Sequence, residues 1–427
     1  MARFAHLADV HLGSWRETKL RELNFQSFAK AIDECVERNI NFLLVSGDLF
    51  DHTHPDFQIV KRAIEKLAEL RKTGAPIYFA PGSHDFAPNT TSMTDILASS
   101  GVITKVGDGE FENDRLRPHF VIDFDTGAKI AAIPGRRLAL ERAYFEMLDR
   151  EYLEKEDGFK IFAFHSAIKE AKPGSVSYPD SIPLSLLPRG FDYYAGGHVH
   201  EQIKLEIDEY GTIAYPGPIF GATFTDLEIA TGYNRGFFVV EFDDRIKSVE
   251  RVQVEQAEIV YKEVEVGTKS SKQTEEELRQ IAKELDARGK LVLLKVRGML
   301  SLGKPSDINF GEIRQLILEK QPASISINHH QLKAQELTDI KLRTQPREQI
   351  EENILTEHMT RFKLDPTTDS KLREKLEERL TSHTGIKLAK SLLHALNTEQ
   401  KEGEAKSDFQ FRVLQSARNL LDLEAQE

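Results

Sequence analysis

Residues 1 to about 250 alternate short apolar runs with segments of helical periodicity, and few folds accommodate that alternation. The apolar runs are bounded by Gly or Pro, as strands are. Residues 25–36 and 59–70 repeat apolar side chains at helical spacing. Strands that alternate with helices build layered α/β folds, so we predict an α/β fold, and the scarcity of helices among the later strands favours a mixed second sheet. The predicted strands are residues 4–8, 41–45, 76–80, 130–133, 161–164, 193–195, 213–215 and 237–242.

The rest of the chain divides into a small α/β unit and a helical tail. Strands are predicted at 261–266, 291–296 and 324–327, and helices at 274–285 and 310–318, with Thr274 as N-cap and Glu277 completing a capping box. From about residue 341 the pattern is helical, and Asp365 followed by Pro366 predicts a helix start there. The predicted domains are therefore 1–255, 256–340 and 341–427. An apolar stripe near the end comprises Phe409, Val413, Leu414, Ala417, Leu420 and Leu421.

Composition excludes several classes of protein. The 57 Lys and Arg residues against 69 Asp and Glu residues give a net charge of −12, which is unlike a free-standing DNA binder. It does not exclude a nucleic-acid enzyme that uses bound cations. The single cysteine, Cys35, excludes a disulfide framework and a Cys-rich zinc site. Because the N-terminal residues lack an apolar leader and no run reaches the roughly 18 residues of a membrane span, we expect a cytoplasmic protein.

Metal-binding residue types follow five of the predicted strands. The carboxyl ends of strands in open α/β sheets are where ligands bind. In extended chain, residues i and i+2 point to the same side, so Asp9 with His11, and His198 with His200, are each expected to direct two ligands to one place. Glycines at 47, 82, 196 and 197 allow close approach of the backbone. The strand-end residues are Asp9, His11, Asp48, Asp51, His84, Asp85, His165, His198 and His200.

The chemistry of this set indicates two ions. Asp and His ligands without thiolate suit Mn²⁺, Fe²⁺ or Zn²⁺. About seven ligands are too many for one ion, whereas two ions about 3.5–4 Å apart, bridged by one carboxylate, would use them all.

The order of these motifs (D-x-H, G-D-x-x-D, G-x-H-D, an isolated His and G-H-x-H) resembles that of the calcineurin-like metallophosphoesterases. Residues 5–13, 46–50, 194–200 and 215–217 are similar to the SbcD / meiotic-recombination-eleven nucleases, with the archaeal branch nearest. That family supplies the nuclease subunit of the complex that repairs DNA double-strand breaks. The resemblance covers residues 1–340 well and the tail only in general character.

The resemblance implies a fold and a site. The fold is a layered sandwich of two mixed sheets flanked by helices, with a small α/β capping domain that contacts DNA and a helical C-terminal region. The site holds two Mn²⁺ ions, with Fe²⁺ or Zn²⁺ as alternatives, and His84 is catalytic. Ser83 stands where the family has Asn, which predicts a weaker second site, and Asp51 and Asp85 are expected to support ligands rather than act as ligands. The implied ligands are Asp9, His11, Asp48 and His200 for one ion and Asp48, Ser83, His165 and His198 for the other.

The function implied is a manganese-dependent DNA nuclease, both 3′–5′ exonuclease and endonuclease. It would act on double-strand-break ends with an SMC-like coiled-coil ATPase, as a homodimer associated with the nucleoid. The C-terminal helices are the expected ATPase-binding segment. Two alternatives stay open: a metallophosphoesterase that acts on nucleotides or phosphoproteins, and a metal-binding scaffold with reduced activity.

Overall fold

The computed structural model describes residues 1–87, 91–136, 140–171, 178, 180–232, 235–254, 257–334, 385–398 and 406–421. The chain forms two compact units, residues 1–333 and 334–427. The subdivision of the first unit near residue 255 stays a prediction, and the predicted helix start at Asp365 lies outside the described residues.

Each of the eleven predicted strands is present within about two residues of its predicted bounds, except that the strand beginning at Leu291 is longer. Seven further strands were not predicted, so the described residues form eighteen strands in all. They are β1 (Ala2–Leu7), β2 (Phe42–Ser46), β3 (Ile77–Ala80), β4 (Thr104–Lys105), β5 (Gly109–Glu112), β6 (Arg115–Pro118), β7 (Val121–Ile122), β8 (Lys129–Ile133), β9 (Lys160–His165), β10 (Tyr193–Gly197), β11 (Ile203–Ile207), β12 (Gly211–Tyr215), β13 (Gly236–Phe242), β14 (Ile246–Gln253), β15 (Ile259–Glu265), β16 (Leu291–Leu300), β17 (Ser324–Asn328) and β18 (Leu332–Ala334).

The first helix begins seven residues before its predicted periodic core. Four helices between residues 93 and 229 were not predicted, and the described residues form ten α-helices in all. They are α1 (Thr18–Glu37), α2 (Phe57–Lys72), α3 (Met93–Ser99), α4 (Glu141–Met147), α5 (Arg150–Glu154), α6 (Phe224–Ile229), α7 (Ser271–Glu284), α8 (Phe310–Leu318), α9 (Gly385–Leu396) and α10 (Lys406–Leu421).

The predicted N-cap of α7 is wrong. Ser270 caps this helix in a capping box with Gln273, and Thr274 is buried one turn inside, where its hydroxyl donates to Ser270 O at 2.9 Å. Glu277 instead pairs with Lys269 at 2.8 Å.

Two mixed six-stranded sheets form the main body. The first has the order β14-β13-β1-β2-β3-β4 and the second β11-β12-β10-β9-β8-β7. Strands β1 to β4 run parallel, as do β8, β9, β10 and β12, while the edge strands β14, β11 and β7 pair antiparallel. The mixed second sheet is confirmed.

The two sheets pack face to face over a core of aromatic and small apolar residues. Phe4 and Phe42 of the first sheet stack at 5.0 Å, and Phe4 meets the edge of Tyr193 of the second sheet at 5.2 Å. Helices α1 and α2 cover the outer face of the first sheet, burying Phe28, Ile32 and their neighbours. Burial of this kind contributes about 25 cal/mol per Å² of apolar surface, so the sandwich is a rigid frame for its strand ends.

The predicted βαβαβ unit is present as a third sheet. Strands β15, β16 and β17 are parallel, with α7 and α8 as crossovers, and β18 pairs with β16. Leu291 and Leu293 of β16 pack against Leu20 of α1 and Leu227 of α6. Tyr261 and Lys295 reach Glu228 of α6 at 2.6 and 2.7 Å. The small sheet is therefore attached to the main body largely through α1 and α6.

In the second unit α9 and α10 contact each other. Leu420 of the predicted stripe lines a shallow pocket with His394 and Ala395 of α9, whereas Phe411 and Leu414 are exposed. No helix of the described residues is long and apolar enough to cross a membrane.

Candidate metal centre

Both sheets direct their strand ends to one edge of the sandwich. Asp9 and His11 follow β1, Asp48 follows β2, Ser83 and His84 follow β3, His165 ends β9, and His198 and His200 follow β10. Gly197 of β10 pairs in register with His165, which fixes the level of these two strands. The strand-end prediction is thus confirmed as an arrangement of residues, and the role of each residue as a ligand stays a prediction.

The backbone at these ends is left-handed. Asp9, His11, Asp48 and His198 have φ of 52°, 48°, 54° and 79°. Residues other than glycine rarely adopt a positive φ. Those that do are often found at functional sites, where the surrounding structure holds the strained backbone in place. The extended geometry predicted for the two i, i+2 pairs is therefore wrong. Backbone hydrogen bonds impose the turns instead, from Asp9 N to Gly47 O at 3.1 Å and from His11 N to Asp48 O at 2.9 Å.

Two glycines make the close packing of the ends possible. A Cβ on Gly82 would lie 2.2 Å from Asp48 Oδ1, and one on Gly197 would lie 1.9 Å from Ser46 O and 2.6 Å from His165 Nδ1. Any side chain at either position would displace a predicted ligand, so the glycines define the shape of the site.

The first predicted ligand group comes together closely. Donor atoms of Asp9, His11 and His200 lie within 4.8 Å of one another, and His200 Nε2 is 3.9 Å from Asp9 Oδ1. His11 Nε2 faces Asp48 Oδ2 at 3.7 Å. The remaining predicted ligand of this ion, Asp48, therefore lies beside the group and can bridge.

The second predicted group is less uniform. His165 Nε2 lies 3.1 Å from Asp48 Oδ2 and 3.9 Å from Asp9 Oδ1. The Ser83 hydroxyl donates to Asp48 Oδ2 at 3.4 Å, a long contact. His198 belongs to none of the close groups of three among the described residues; its ring centroid is 5.4 Å from that of His165, and its N–H donates to Asp9.

The donor set fits a pair of divalent cations. His11 Nε2 is buried and makes no hydrogen bond; Asp48 Oδ2 lies 3.7 Å from it. An unpaired buried nitrogen costs about 1–3 kcal/mol, and coordination to a cation removes that cost. Two carboxylates and four imidazoles meeting in one buried place supply the oxygen and nitrogen donors that such ions prefer.

Neighbouring groups of the site strongly shift one another's pKa values. Burial opposes the charge of the His165 imidazole, but the Asp48 carboxylate outweighs it and raises the pKa of His165 to about 10. Burial by itself would raise the pKa of Asp48, but the imidazoles of His165, His11 and His84 hold it well below its ordinary value. Burial, reinforced by the neighbouring His165, lowers the pKa of His198 to about 3, so His198 is in the neutral form that binds metals.

Three acidic residues support the predicted ligands. Asp226 Oδ1 accepts from His200 Nδ1 at 2.8 Å, and Asp51 Oδ1 accepts from His11 Nδ1 at 3.1 Å. Each contact leaves the Nε2 lone pair directed into the site. Asp85 accepts from Asp48 N at 2.7 Å and so fixes the turn. The supporting role expected of Asp51 and Asp85 agrees with this geometry. The contact of Asp226 with His200 was not predicted from the sequence.

His84 lies beside the cluster at the mouth of a cleft of about 520 Å³. Its N–H donates to Asp48 Oδ1 at 2.8 Å, and its Nδ1 contacts Asp51 O at 2.5 Å. Because a carbonyl can only accept, Nδ1 carries the proton and Nε2 is the ring atom that remains for chemistry.

Comparison with known proteins places this arrangement in a family. Residues 2–202 match the model of the calcineurin-like phosphoesterases. The chain is 30% identical over 292 residues to the DNA double-strand break repair protein Mre11 of Methanopyrus kandleri, an alignment that covers 65% of this chain and 62% of that one. It is 27% identical over 344 residues to the protein of the same name from Archaeoglobus fulgidus, covering 74% and 75%.

Residues 2–202 therefore match the calcineurin-like phosphoesterases. The similarity to the two archaeal proteins supports the SbcD/Mre11 resemblance that the motifs predict. A solved dimetal phosphatase from Danio rerio aligns with 60% of this chain at a TM-score of 0.40 and 12% identity, too distant to add to the assignment.

Proposed function

We propose that this protein is a two-metal DNA nuclease that processes double-strand-break ends as a 3′–5′ exonuclease and an endonuclease. The observation that carries the proposal is the cluster of Asp and His residues at one edge of both sheets, in a chain whose relatives are named for double-strand break repair. The attached third sheet supports a large substrate, since a phosphatase of small molecules needs no such addition.

The proposed ligands divide between two Mn²⁺ ions, with Asp48 as the bridge. Asp9, His11 and His200 complete one ion and Ser83, His165 and His198 the other. The ions, when bound, would acidify a water and neutralise charge on the phosphodiester. His84, held through Nδ1 by the Asp51 carbonyl, would direct Nε2 to the scissile phosphate; in its doubly protonated form it would give the Nε2 proton to the leaving 3′ oxygen and keep the Nδ1 proton.

Cleavage of linear duplex DNA tests the function. We expect cleavage with Mn²⁺ and much weaker cleavage with Mg²⁺ alone, because Mg²⁺ prefers an all-oxygen shell. Equal activity with Mg²⁺ would contradict the four histidine ligands. Hydrolysis of nitrophenyl phosphates or nucleotides without any cleavage of DNA would favour the alternative phosphoesterase, and tight metal binding without hydrolysis would favour a scaffold.

The proposed partner is an SMC-like coiled-coil ATPase, and the proposed assembly is a homodimer. The apolar stripe from Phe409 to Leu421 on α10, in which Leu414 is exposed, would be the docking face in a helix-in-groove contact. Deleting residues from about 400 onward should spare metal binding and weak nuclease activity but weaken co-purification of the ATPase. Co-purification that survives the deletion would assign the stripe to packing within this chain.

A further inference from the structure

Arg136 follows a strand end that the predicted ligand set does not use. Strand β8 runs parallel to β9 with Ile133 opposite Phe164, so the residues after β8 lie beside His165. A Cβ on Gly135 would lie 2.9 Å from His165 Cδ2 and 3.0 Å from Ser83 N. The backbone just before Arg136 therefore touches the predicted second metal position.

Two aromatic rings hold the Arg136 guanidinium. Its Cζ lies 4.2 Å from the ring centroid of Phe86 and 4.7 Å from that of Tyr144. Stacking on ring faces leaves the N–H groups in the guanidinium plane available to an acceptor. Phe86 follows His84 by two residues, so the same loop carries the proposed catalytic histidine and one of these rings.

The neighbouring carboxylate does not neutralise this cation. Glu141 Oε2 accepts from the backbone N of Arg136 at 3.2 Å, and Glu141 Oε1 accepts from Ser166 Oγ at 3.1 Å. Among the described residues no carboxylate forms an ion pair with the Arg136 side chain. Arg136 and Glu141 line the cleft of about 520 Å³ together with His84, Ser83 and His198.

We propose that Arg136 binds the non-bridging oxygens of a substrate phosphate beside the metal centre. This role rests on the proposed phosphodiester substrate, whose negatively charged phosphate the Arg136 guanidinium would bind. A guanidinium fork matches two phosphate oxygens in geometry and charge. It also places a fixed positive charge in the cleft of a chain whose net charge is −12.

The test compares Arg136→Met and Arg136→Lys with a matched control, Arg142→Met. Arg142 lies nearby on α4, its side chain is 51% exposed, and it pairs with Glu146 at 2.9 Å. Each Mn²⁺-loaded protein is titrated with inorganic phosphate by calorimetry and assayed on linear duplex DNA and on bis(4-nitrophenyl) phosphate. Mn²⁺ affinity is measured separately.

For Arg136→Met we expect weaker phosphate binding and a loss of kcat/KM on the order of 100-fold, carried largely by KM, with Mn²⁺ affinity unchanged. Arg136→Lys should recover part of the loss, and Arg142→Met should match the wild type. Phosphate affinity equal to that of the control, or a loss of Mn²⁺ binding, would overturn the proposal and make Arg136 a packing residue.

Misfolding of the variant and failure of the DNA function can both be distinguished from failure of the Arg136 role. If Arg136→Met does not fold by circular dichroism, Arg136→Lys decides, because it keeps the charge and loses the fork; unchanged phosphate affinity and KM would then overturn the proposal. If the wild type hydrolyses only the small diester, the DNA function fails while the Arg136 inference is still judged on that diester and on phosphate binding.

Discussion

Replacing Asp226 by Asn should weaken metal binding through His200 without removing a ligand. Asp226 is buried and uses both oxygens as acceptors. Oδ1 accepts from His200 Nδ1 at 2.8 Å, and Oδ2 accepts from the backbone N–H groups of Ala222 and Thr223 at 2.9 Å each. An amide has one acceptor oxygen and one donor group, so it cannot serve both sides.

Each orientation of the amide has a defined cost. If its oxygen stays with the backbone, its NH₂ faces His200 and requires a deprotonated Nδ1. The ring proton then moves to Nε2, the atom predicted to bind the metal. If the amide turns round, the two part-buried N–H groups of Ala222 and Thr223 lose their acceptor, which costs less than the roughly 1–3 kcal/mol of a fully buried donor. We expect metal affinity to fall about 10–100-fold, as is typical for lost partners of metal-binding histidines.

Asp226 also completes a capping box with Thr223 at the start of α6, so Asp95→Asn is used as the control for the loss of a helix cap. Helix α3 also begins with a capping box, in which Asp95 accepts from Ser92 N at 2.8 Å, but Asp95 contacts no predicted ligand. Calorimetric titration of metal-stripped protein with Mn²⁺ should show a loss for Asp226→Asn alone, while both variants melt at lower temperature without metal. Equal Mn²⁺ affinity in the two variants would refute the reasoning.

Three further predictions concern the ligands and the catalytic residue. Although burial opposes its charge, Asp48 raises the pKa of His165 to about 10, so His165 is protonated at neutral pH, whereas metal binding needs the neutral ring. Mn²⁺ binding between pH 7 and 9 should therefore release about one proton, and the affinity should rise about tenfold per pH unit. Calorimetry in buffers of different ionisation enthalpy measures this release, and finding none would contradict the prediction. His84→Ala should keep Mn²⁺ binding and lose about 10²–10⁴-fold in cleavage rate, whereas His52→Ala at the exposed rim of the same cleft should lose little; loss of metal instead would make His84 a ligand. Ser83→Asn should lower the Mn²⁺ concentration at half-maximal cleavage, since an amide oxygen reaches further than a hydroxyl that now lies 3.4 Å from Asp48 Oδ2; a midpoint that stays or rises would show that the turn has adapted to Ser83.

The strands that carry the site could be predicted from the sequence because apolar runs and the glycines that bound them are local signals. Each predicted strand that ends in Asp or His is present, and the side chains meet at one edge. The turns that bring them there were not predictable. Positive φ at Asp9 and His198 comes from hydrogen bonds to the other ends of the sandwich, and strand alternation alone suggested an extended chain.

The supporting residues show where local signals stop. Thr223 and Asp226 form a capping box that predicts a helix start, but only the tertiary fold brings that carboxylate to His200, 26 positions earlier. The error at Thr274 has a local cause, because Ser270 with Gln273 offers a second capping pattern four residues upstream. Arg136 lies three residues beyond the predicted strand at 130–133, but it is neither Asp nor His, the residue types that marked the other strand ends as candidate sites.

The predicted ligands are shared between the two sheets, and this has a consequence for the order of events in folding. Strands β1, β2 and β3 supply Asp9, His11, Asp48 and Ser83, whereas β9 and β10 supply His165, His198 and His200. A nascent chain that ends before His165 carries only four of the seven predicted donors, so complete loading must wait until His200 has left the ribosome and the sheets have closed. Metal binding then stabilises only the closed sandwich, by RT ln(1 + [M]/Kd). The supply of the proposed metal ions would thus affect the free energy of unfolding of the sandwich as well as the rate of the proposed reaction.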